Sequence, residues 1–263
     1  MPSMNFPAGQ VAVVTGAAGG IGEATAMRYA EAGCDILVAD VGENVHEIAK
    51  NVATKFPERT IHSFVCDVSD EKSVQALADE TKRRFGGVNH LALVAGIVQK
   101  IAPVVDTEFA EWRRVFGVNI DGVFLVSKAF IPLLEASGGG SIVTVSSVWG
   151  QSGRGQFAAY CASKAAHAGF VQSLSLELAP RIRVNAVAPG HIKTAMHEFA
   201  LQSMSDEWGI SKEEVRKKEW GHIPMQDGGD PKAIADTLVF LSSPAASYIT
   251  GATIDANGGL NFR

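Results

Sequence analysis

The stretch Val11-Ala12-Val13-Val14-Thr15-Gly16-Ala17-Ala18-Gly19-Gly20-Ile21-Gly22 decides the fold. An apolar run breaks into glycines, and a helical pattern follows through Ala24, Met27, Tyr29 and Ala30. A strand without polar alternation suits a parallel sheet covered on both faces, because polar positions there would be buried without partners. The glycines permit a tight turn and close backbone approach, and the next helix offers unpaired N-terminal amides to a pyrophosphate. Small residues at this spacing also serve simply to pack a helix on a sheet, so the loop alone does not establish a ligand.

Outward from this unit, short β-branched runs alternate with helix-length segments. Residues 11–15, 36–40, 61–66, 91–95, 142–146, 183–188 and 253–255 are the predicted strands. The order predicts an α/β doubly wound parallel sheet in three layers, as a single domain over residues 1–263. Ser69 before Asp70-Glu71 signals one helix start, and Asp230-Pro231 another. Gly138-Gly139-Gly140 reads as a loop between a helix ending near Ala136 and the strand from Ile142. Residues 191–230 depart from the alternation: with Trp208, Trp220 and the charge-dense run 211–219, they read as an insertion of one or two helices. Ser211 and Glu214 have capping-box spacing.

Of 263 residues, 46% are hydrophobic and 19% charged, which excludes a disordered chain. Lys+Arg 23 against Asp+Glu 28 gives a net charge of -5, with no general attraction to nucleic acid or anionic lipid. Cys34, Cys66 and Cys161 have neither CxxC nor Cys/His metal spacing, so reduced thiols are expected, without disulfide or zinc. His46-Glu47-Ile48-Ala49-Lys50 lacks the second histidine of a zinc-binding HExxH. The start, Met1 to Phe6, has no basic region followed by an apolar stretch, and no run reaches the roughly 18 apolar residues of a membrane span. A cytoplasmic protein with no metal, nucleic-acid or membrane partner is the expectation.

Asp40 closes the second strand near the offset, about 20 residues after the glycines, at which an acid meets adenosine ribose hydroxyls. Its charge would repel a 2′-phosphate, and no Arg or Lys stands at 17–19 or 41–43 to receive one, so NAD is favoured over NADP. A solvated loop acid or turn cap is the alternative. Asp67-Val68, after the third strand, reads equally as an adenine contact or as an acid capping the next helix.

Tyr160-Cys161-Ala162-Ser163-Lys164 lies in a helical pattern running through Leu178, which sets Tyr160 and Lys164 one turn apart on one face. A phenol titrates near pH 10 and needs a nearby cation to exchange protons at neutral pH. At about 4 Å and an effective dielectric near 20, a lysine supplies roughly 4 kcal/mol, offset in part by desolvation. Ser147, closing the strand before this helix, can donate to a substrate carbonyl oxygen. Each piece has a plain structural reading too: a packed tyrosine with a surface lysine, and a serine pair ending a strand.

Taken in order, these motifs resemble the short-chain dehydrogenase/reductase family over Gln10 to Gly259: TGxxxGxG at Thr15 to Gly22, Asp67-Val68, Asn119, Ser147, YxxxK at Tyr160 to Lys164, Asn185, Pro189-Gly190 and Thr194. The resemblance implies a Rossmann fold, Tyr160 as general acid/base and Ser147 as the group polarising the carbonyl or alcohol. It implies that Lys164 holds the nicotinamide ribose and lowers the tyrosine pKa, and that Asn119 anchors a water linking Lys164 to solvent. Gly16, Gly19, Gly20, Ile21, Gly22, Asp40, Asp67, Val68, Ala95 and Gly96 would hold the adenosine and diphosphate. Pro189, Gly190, Ile192 and Thr194 would face the nicotinamide. Trp149, Gln151, Arg154 and Phe157 would approach the substrate, with Gln99 and His191 weaker candidates, and Arg154 could pair with a carboxylate or phosphate. A homotetramer is implied through the helices holding Asn119 and Tyr160, with Phe124, Leu125, Val126 and Phe130 as the apolar run.

The expected activity is NAD-dependent interconversion of a secondary alcohol, such as a polyol or sugar, and its ketone. The alternatives are an NADPH-type 3-oxoacyl-thioester reductase and a non-catalytic dinucleotide-binding sensor. One departure stands out: Leu93-Val94-Ala95-Gly96 replaces the family's Asn-Asn-Ala-Gly strand end. Val94→Asn is therefore expected to be tolerated, with NAD affinity within about threefold of wild type in a fluorescence titration; a large loss would refute this reading of position 94.

Overall fold

The fold was read from a computed structural model that describes residues 4–262; Met1 to Ser3, part of the N-terminal stretch read above, and Arg263 lie outside the described residues. Strands β1 (Val11–Thr15), β2 (Asp35–Asp40), β3 (Ile61–Val65), β4 (His90–Leu93), β5 (Gly140–Val145), β6 (Ile182–Pro189) and β7 (Thr253–Ala256) form one parallel sheet in the order β3-β2-β1-β4-β5-β6-β7. Every predicted strand is present, shifted by a residue or two at its ends.

The sequence of β1 explains its place in the middle. Val11 and Val13 face one apolar cluster, while Ala12 and Val14 face another. The first cluster lies under α3 (Glu71–Phe85), α5 (Gly122–Ala136) and α7 (Ala158–Leu178), numbering helices in chain order with α6 the short Trp149–Ser152. The second lies under α1 (Gly20–Glu31) and α2 (Val45–Lys55) and is joined by Val239 of α10 (Pro231–Ser242). With both faces covered, alternation has no advantage. Each fully buried Val, Leu or Phe contributes about 1.5–3 kcal/mol, and Leu37, Leu91, Phe130 and Ile142 are all completely enclosed.

Sheet order reverses between β1 and β4, which register side by side at Thr15 and Leu93. The loops leaving these strands diverge to opposite faces and open a crevice at the carboxyl ends. α4 (Phe109–Phe116) runs through a π-helical turn, Gly117–Asp121, into α5. By length and composition this helical stretch, 109–136, could cross a bilayer. Val123, Val126, Phe130 and Leu134 are instead buried against the sheet.

One sequence signal shifts. Asp70, not Ser69, caps α3 by accepting from the Lys72 amide, while Ser69 donates to Asp67. The insertion holds two helices, α8 (Ala195–Trp208) and α9 (Lys212–Trp220). Both halves of the Ser211/Glu214 capping box form. Ala200, Leu201, Met204 and Val215 make its own small core, with Trp208 packed against it. Cys34, Cys66 and Cys161 are unpaired.

Two buried histidines tie strands to their surroundings. His90 is held by Ser141 Oγ at 2.9 Å and Gln10 Oε1 at 3.0 Å. His167 is held by Thr144 Oγ1 at 3.1 Å and the Asn119 carbonyl at 2.8 Å. Burial pushes both from the usual 6.5 to about 3. Between these values the unfolded chain binds protons that the native chain refuses, so stability is lost as pH falls through this window. The urea midpoint is expected to drop markedly from pH 7 to pH 4.5; an unchanged midpoint would contradict neutral burial of these rings.

Candidate active site

The floor of the crevice is set by two glycines. At Gly16, with φ +70°, a Cβ would lie 2.5 Å from the Ala95 amide nitrogen; at Gly22 it would lie 2.0 Å from the Gly16 carbonyl oxygen. These contacts press the loop after β1 onto the end of β4 and fold α1 back on its own turn. Gly19 is different, since nothing stands within 4 Å of the Cβ position there. No side chain caps α1 among the described residues, so its first amides face the open side unpaired.

Asp40 is fixed at the far end of this loop. Its two carboxylate oxygens accept from the Ala18 amide at 3.0 Å and the Gly42 amide at 2.9 Å. Asp67 accepts from the Ser69 amide and hydroxyl at 2.9 and 2.7 Å. A groove of about 890 Å³ runs from Asp40 and from Asp67-Val68, past Gly16 and Gly19 to Gly22, to Ala95, Gly96 and Thr194. Arg113 and Arg114 of α4 also line it, which the sequence reading missed because nothing local ties α4 to the glycine loop. Unpaired amides for a diphosphate, a carboxylate for ribose hydroxyls and an open Gly19 face together fit a nicotinamide dinucleotide.

At the groove's inner end lies a pocket of about 130 Å³ where Ser147, Tyr160 and Lys164 meet. Ser146 Oγ donates to the Lys164 carbonyl at 2.8 Å, pinning α7 to the end of β5. Ser147 Oγ accepts from the Trp149 amide at 3.2 Å. Both serines line the pocket, but the Ser146 hydroxyl is spent on the helix backbone. Lys164 is 4% exposed, and its Nζ donates to the Val145 carbonyl at 2.7 Å. Burial lowers its pKa to about 8. Gly96 makes the room, since a Cβ there would lie 3.1 Å from Nζ.

The phenol does not follow expectation. Burial pushes the Tyr160 pKa above its usual value, opposed by a hydrogen bond with Ser147, and Lys164 supplies no lowering. The ammonium points to the Val145 carbonyl and lies 6.0 Å from the ring centroid. Asn119 makes three side-chain hydrogen bonds. Its side chain accepts from the Ile97 amide at 2.8 Å and donates to the Ile97 carbonyl and to Ser163 Oγ, both at 3.0 Å. Its own carbonyl accepts from His167 Nε2. Asn119 therefore positions the segment after β4, and the missed His167 braces Asn119. The available signal was its place three residues after Lys164, on the same helix face.

Of the predicted substrate residues, Trp149 and His191 line the pocket, as do Pro189, Gly190, Ile192 and Thr194. Phe157 is 2% exposed and packs behind Trp149, the rings tilted with centroids 5.0 Å apart. Gln151 turns away and donates to Asp255 at 2.6 Å. Arg154 is not free for a substrate anion: it donates to Glu219 Oε1 at 2.8 Å, and Glu219 is only 5% exposed. Gln99 braces the catalytic helix by accepting from the Tyr160 amide at 2.9 Å. His197, Met196 and Ala200 of α8 complete the wall and were not foreseen.

Residues 16–261 match the family model described as enoyl-(acyl carrier protein) reductase. The cis-4-hydroxycyclohexanecarboxylate dehydrogenase of Sinomonas cyclohexanicum is 36% identical over 95% of this chain and 96% of its own. The chain belongs to the short-chain dehydrogenase/reductase family. An NAD+-bound xylitol dehydrogenase structure is similar to this short-chain dehydrogenase/reductase with TM-score 0.91 and 33% identity, over 96% of this chain and 99% of the other. A structure from Beutenbergia cavernae with bound NADP at low occupancy has TM-score 0.87 and 33% identity, over 98% of each chain. The chain is thus similar to an oxidoreductase structure bound to NAD+ and to a structure holding NADP.

The contrast between the two loop glycines is testable. Gly16→Ala forces a Cβ into backbone and is expected to lower the melting temperature. Gly19→Ala is expected to leave melting unchanged while weakening NADH binding about tenfold or more, by fluorescence titration. Equal behaviour of the two variants would contradict this geometry.

Proposed function

We propose that this protein is an NAD-dependent dehydrogenase that interconverts a small secondary alcohol, such as a polyol or cyclic alcohol, and its ketone. The observation that carries the reading is the convergence of Ser147, Tyr160 and Lys164 in one small pocket opening onto the groove that ends at Asp40. When bound, the nicotinamide supplies the hydride acceptor or donor. Ser147 donates a hydrogen bond to the substrate oxygen, and Tyr160 exchanges a proton with that same oxygen. The raised phenol pKa makes Tyr160 a proton donor to a ketone at neutral pH; in oxidation the phenol must first give its proton up. Lys164, one helical turn away, donates to the Val145 carbonyl rather than to the phenol, and from there would hold the nicotinamide ribose.

NAD is favoured because Asp40, held between two amides, sets a negative charge where a 2′-phosphate would lie. The second reading, a 3-oxoacyl-thioester reductase using NADPH, is favoured by the description of the matching family model. The Asp40 carboxylate speaks against the NADPH that this reading requires. A non-catalytic sensor is disfavoured by the complete Ser147, Tyr160 and Lys164 set. Three free thiols support a cytoplasmic setting. Exposed Phe109, Phe124, Leu176 and Tyr248 support a homo-oligomer, proposed as a tetramer. Of the apolar run on α5, Phe124 alone is exposed, with Leu125 partly buried and Val126 and Phe130 in the core.

Reduction of NAD across polyols, sugars, cyclic alcohols and hydroxysteroids is expected to show turnover on one class. Tyr160→Phe should lower kcat/KM at least about a thousandfold with NADH affinity retained, and wild-type oxidation should rise from pH 7 to 9. Turnover confined to acyl-thioester ketones with NADPH would overturn the proposal.

A further inference from the structure

Five rings stand in a row outward from the reacting centre. Tyr160, Trp149, His191, His197 and Trp220 have successive centroid separations of 6.1, 5.8, 5.0 and 6.2 Å. The chemistry at the outer end follows from the indole, whose nitrogen can only donate. Trp220 Nε1 lies 3.2 Å from His197 Nε2, so Nε2 is the acceptor. A neutral His197 then carries its proton on Nδ1. Burial keeps the ring neutral by lowering its pKa to about 4.

Trp220 is held in place in turn. It stacks on His197 at 11°, with the Lys193 ammonium and the Arg216 guanidinium 5.4 and 5.5 Å from its ring centre. His197 sits in the first turn of α8, where its amide donates to the Thr194 hydroxyl. Its ring lines the substrate pocket, and its Nδ1–H meets no acceptor among the described residues.

Charge decides what kind of acceptor fits. Lys164 is the one charged side chain lining the pocket among the described residues. Every cation near His197 already faces a carboxylate: Arg154 pairs with Glu219, Arg216 with Glu198 and Glu213, and Lys193 with Asp227. His191, 3.7 Å from Glu219 Oε2, is held neutral by burial. The outer end therefore presents a neutral donor and no free positive charge. A carboxylate or phosphate there would lose its hydration without gaining an ion pair.

We propose that His197 is the specificity-determining residue of this enzyme, its Nδ1–H donating to a second, uncharged oxygen of the substrate, a hydroxyl or carbonyl remote from the carbon being oxidised. The inference rests on the alcohol–ketone reading above and narrows it to diols, hydroxyketones and diketones. Trp220 acts through His197 as a positioning residue, fixing which nitrogen bears the proton.

The test compares matched pairs with NAD: cyclohexane-1,4-diol against cyclohexanol, and xylitol against 1-deoxyxylitol, with 4-hydroxycyclohexanecarboxylate as the anionic arm. Wild type is expected to favour at least one two-oxygen or polyol member about tenfold or more in kcat/KM. His197→Phe should erase that preference, lowering kcat/KM for the two-oxygen member about tenfold more than for the simpler alcohol, with NADH affinity unchanged. Trp220→Phe should lose part of the preference, and ¹⁵N shifts of His197 should report an Nδ1–H ring in wild type and a tautomer mixture in this variant. Equal losses on both members, or a wild type that treats them alike, would overturn the inference while leaving the alcohol–ketone reading intact. A carboxylate preference lost in His197→Phe would overturn the uncharged assignment. Absence of NAD turnover with every compound tested would overturn the functional reading, and this inference with it.

Discussion

A buried ammonium is the costly object around which this site is arranged. Removing Lys164 from water disfavours its charge, and its lowered pKa records that penalty. One direct hydrogen bond, to the Val145 carbonyl at the end of β5, offsets part of it. The neighbours keep that geometry in place. Ser146 holds the lysine's backbone, Gly96 leaves space for the ammonium, and the amide of Asn119 ties the segment after β4 to Ser163, one residue before the lysine. His167 holds the Asn119 carbonyl from the next turn of α7. The π-helical turn belongs to this set, because it places Asn119 between the end of β4 and the catalytic helix.

This arrangement couples the catalytic pocket to the dinucleotide groove. The segment after β4 serves both, with Ala95 pressed against Gly16 on one side and Gly96 against Lys164 on the other. A parallel sheet makes such sharing natural, since every strand delivers its loop to the same edge and the reversal between β1 and β4 spreads those loops apart. Ser147, Tyr160 and Lys164 then need only the end of β5 and the start of α7, joined by residues 146–157 and the short helix Trp149–Ser152.

The substrate end is built on a different principle. Its walls come from the insertion, whose helices have their own small core and are fastened beside Trp149 by an ion pair between Arg154 and the buried Glu219. Such a pair contributes little net stability against its desolvation, but breaking one side leaves an uncompensated buried charge. It also removes from the pocket the one cation that the sequence offered to an anionic substrate. Two histidines and an indole remain as the polar groups of that wall.

The parallel sheet, the glycine loop and the Tyr160–Lys164 pair were legible in the sequence because each is local. Apolar continuity in β1 reports burial on both faces, glycine spacing reports a turn too tight for a Cβ, and a four-residue separation fixes one helix face. Asp40 was legible for the same reason, as the residue that ends a strand beside that turn. Tertiary structure alone decided that Arg154 faces Glu219, that Gln151 faces Asp255, that Asn119 is braced by His167, and that His197 turns Nε2 toward Trp220. These partners lie well apart in the chain and share no periodicity. Which of several available acceptors a buried donor meets is set by how the insertion and the sheet edge pack, and by the need to satisfy every polar group enclosed there.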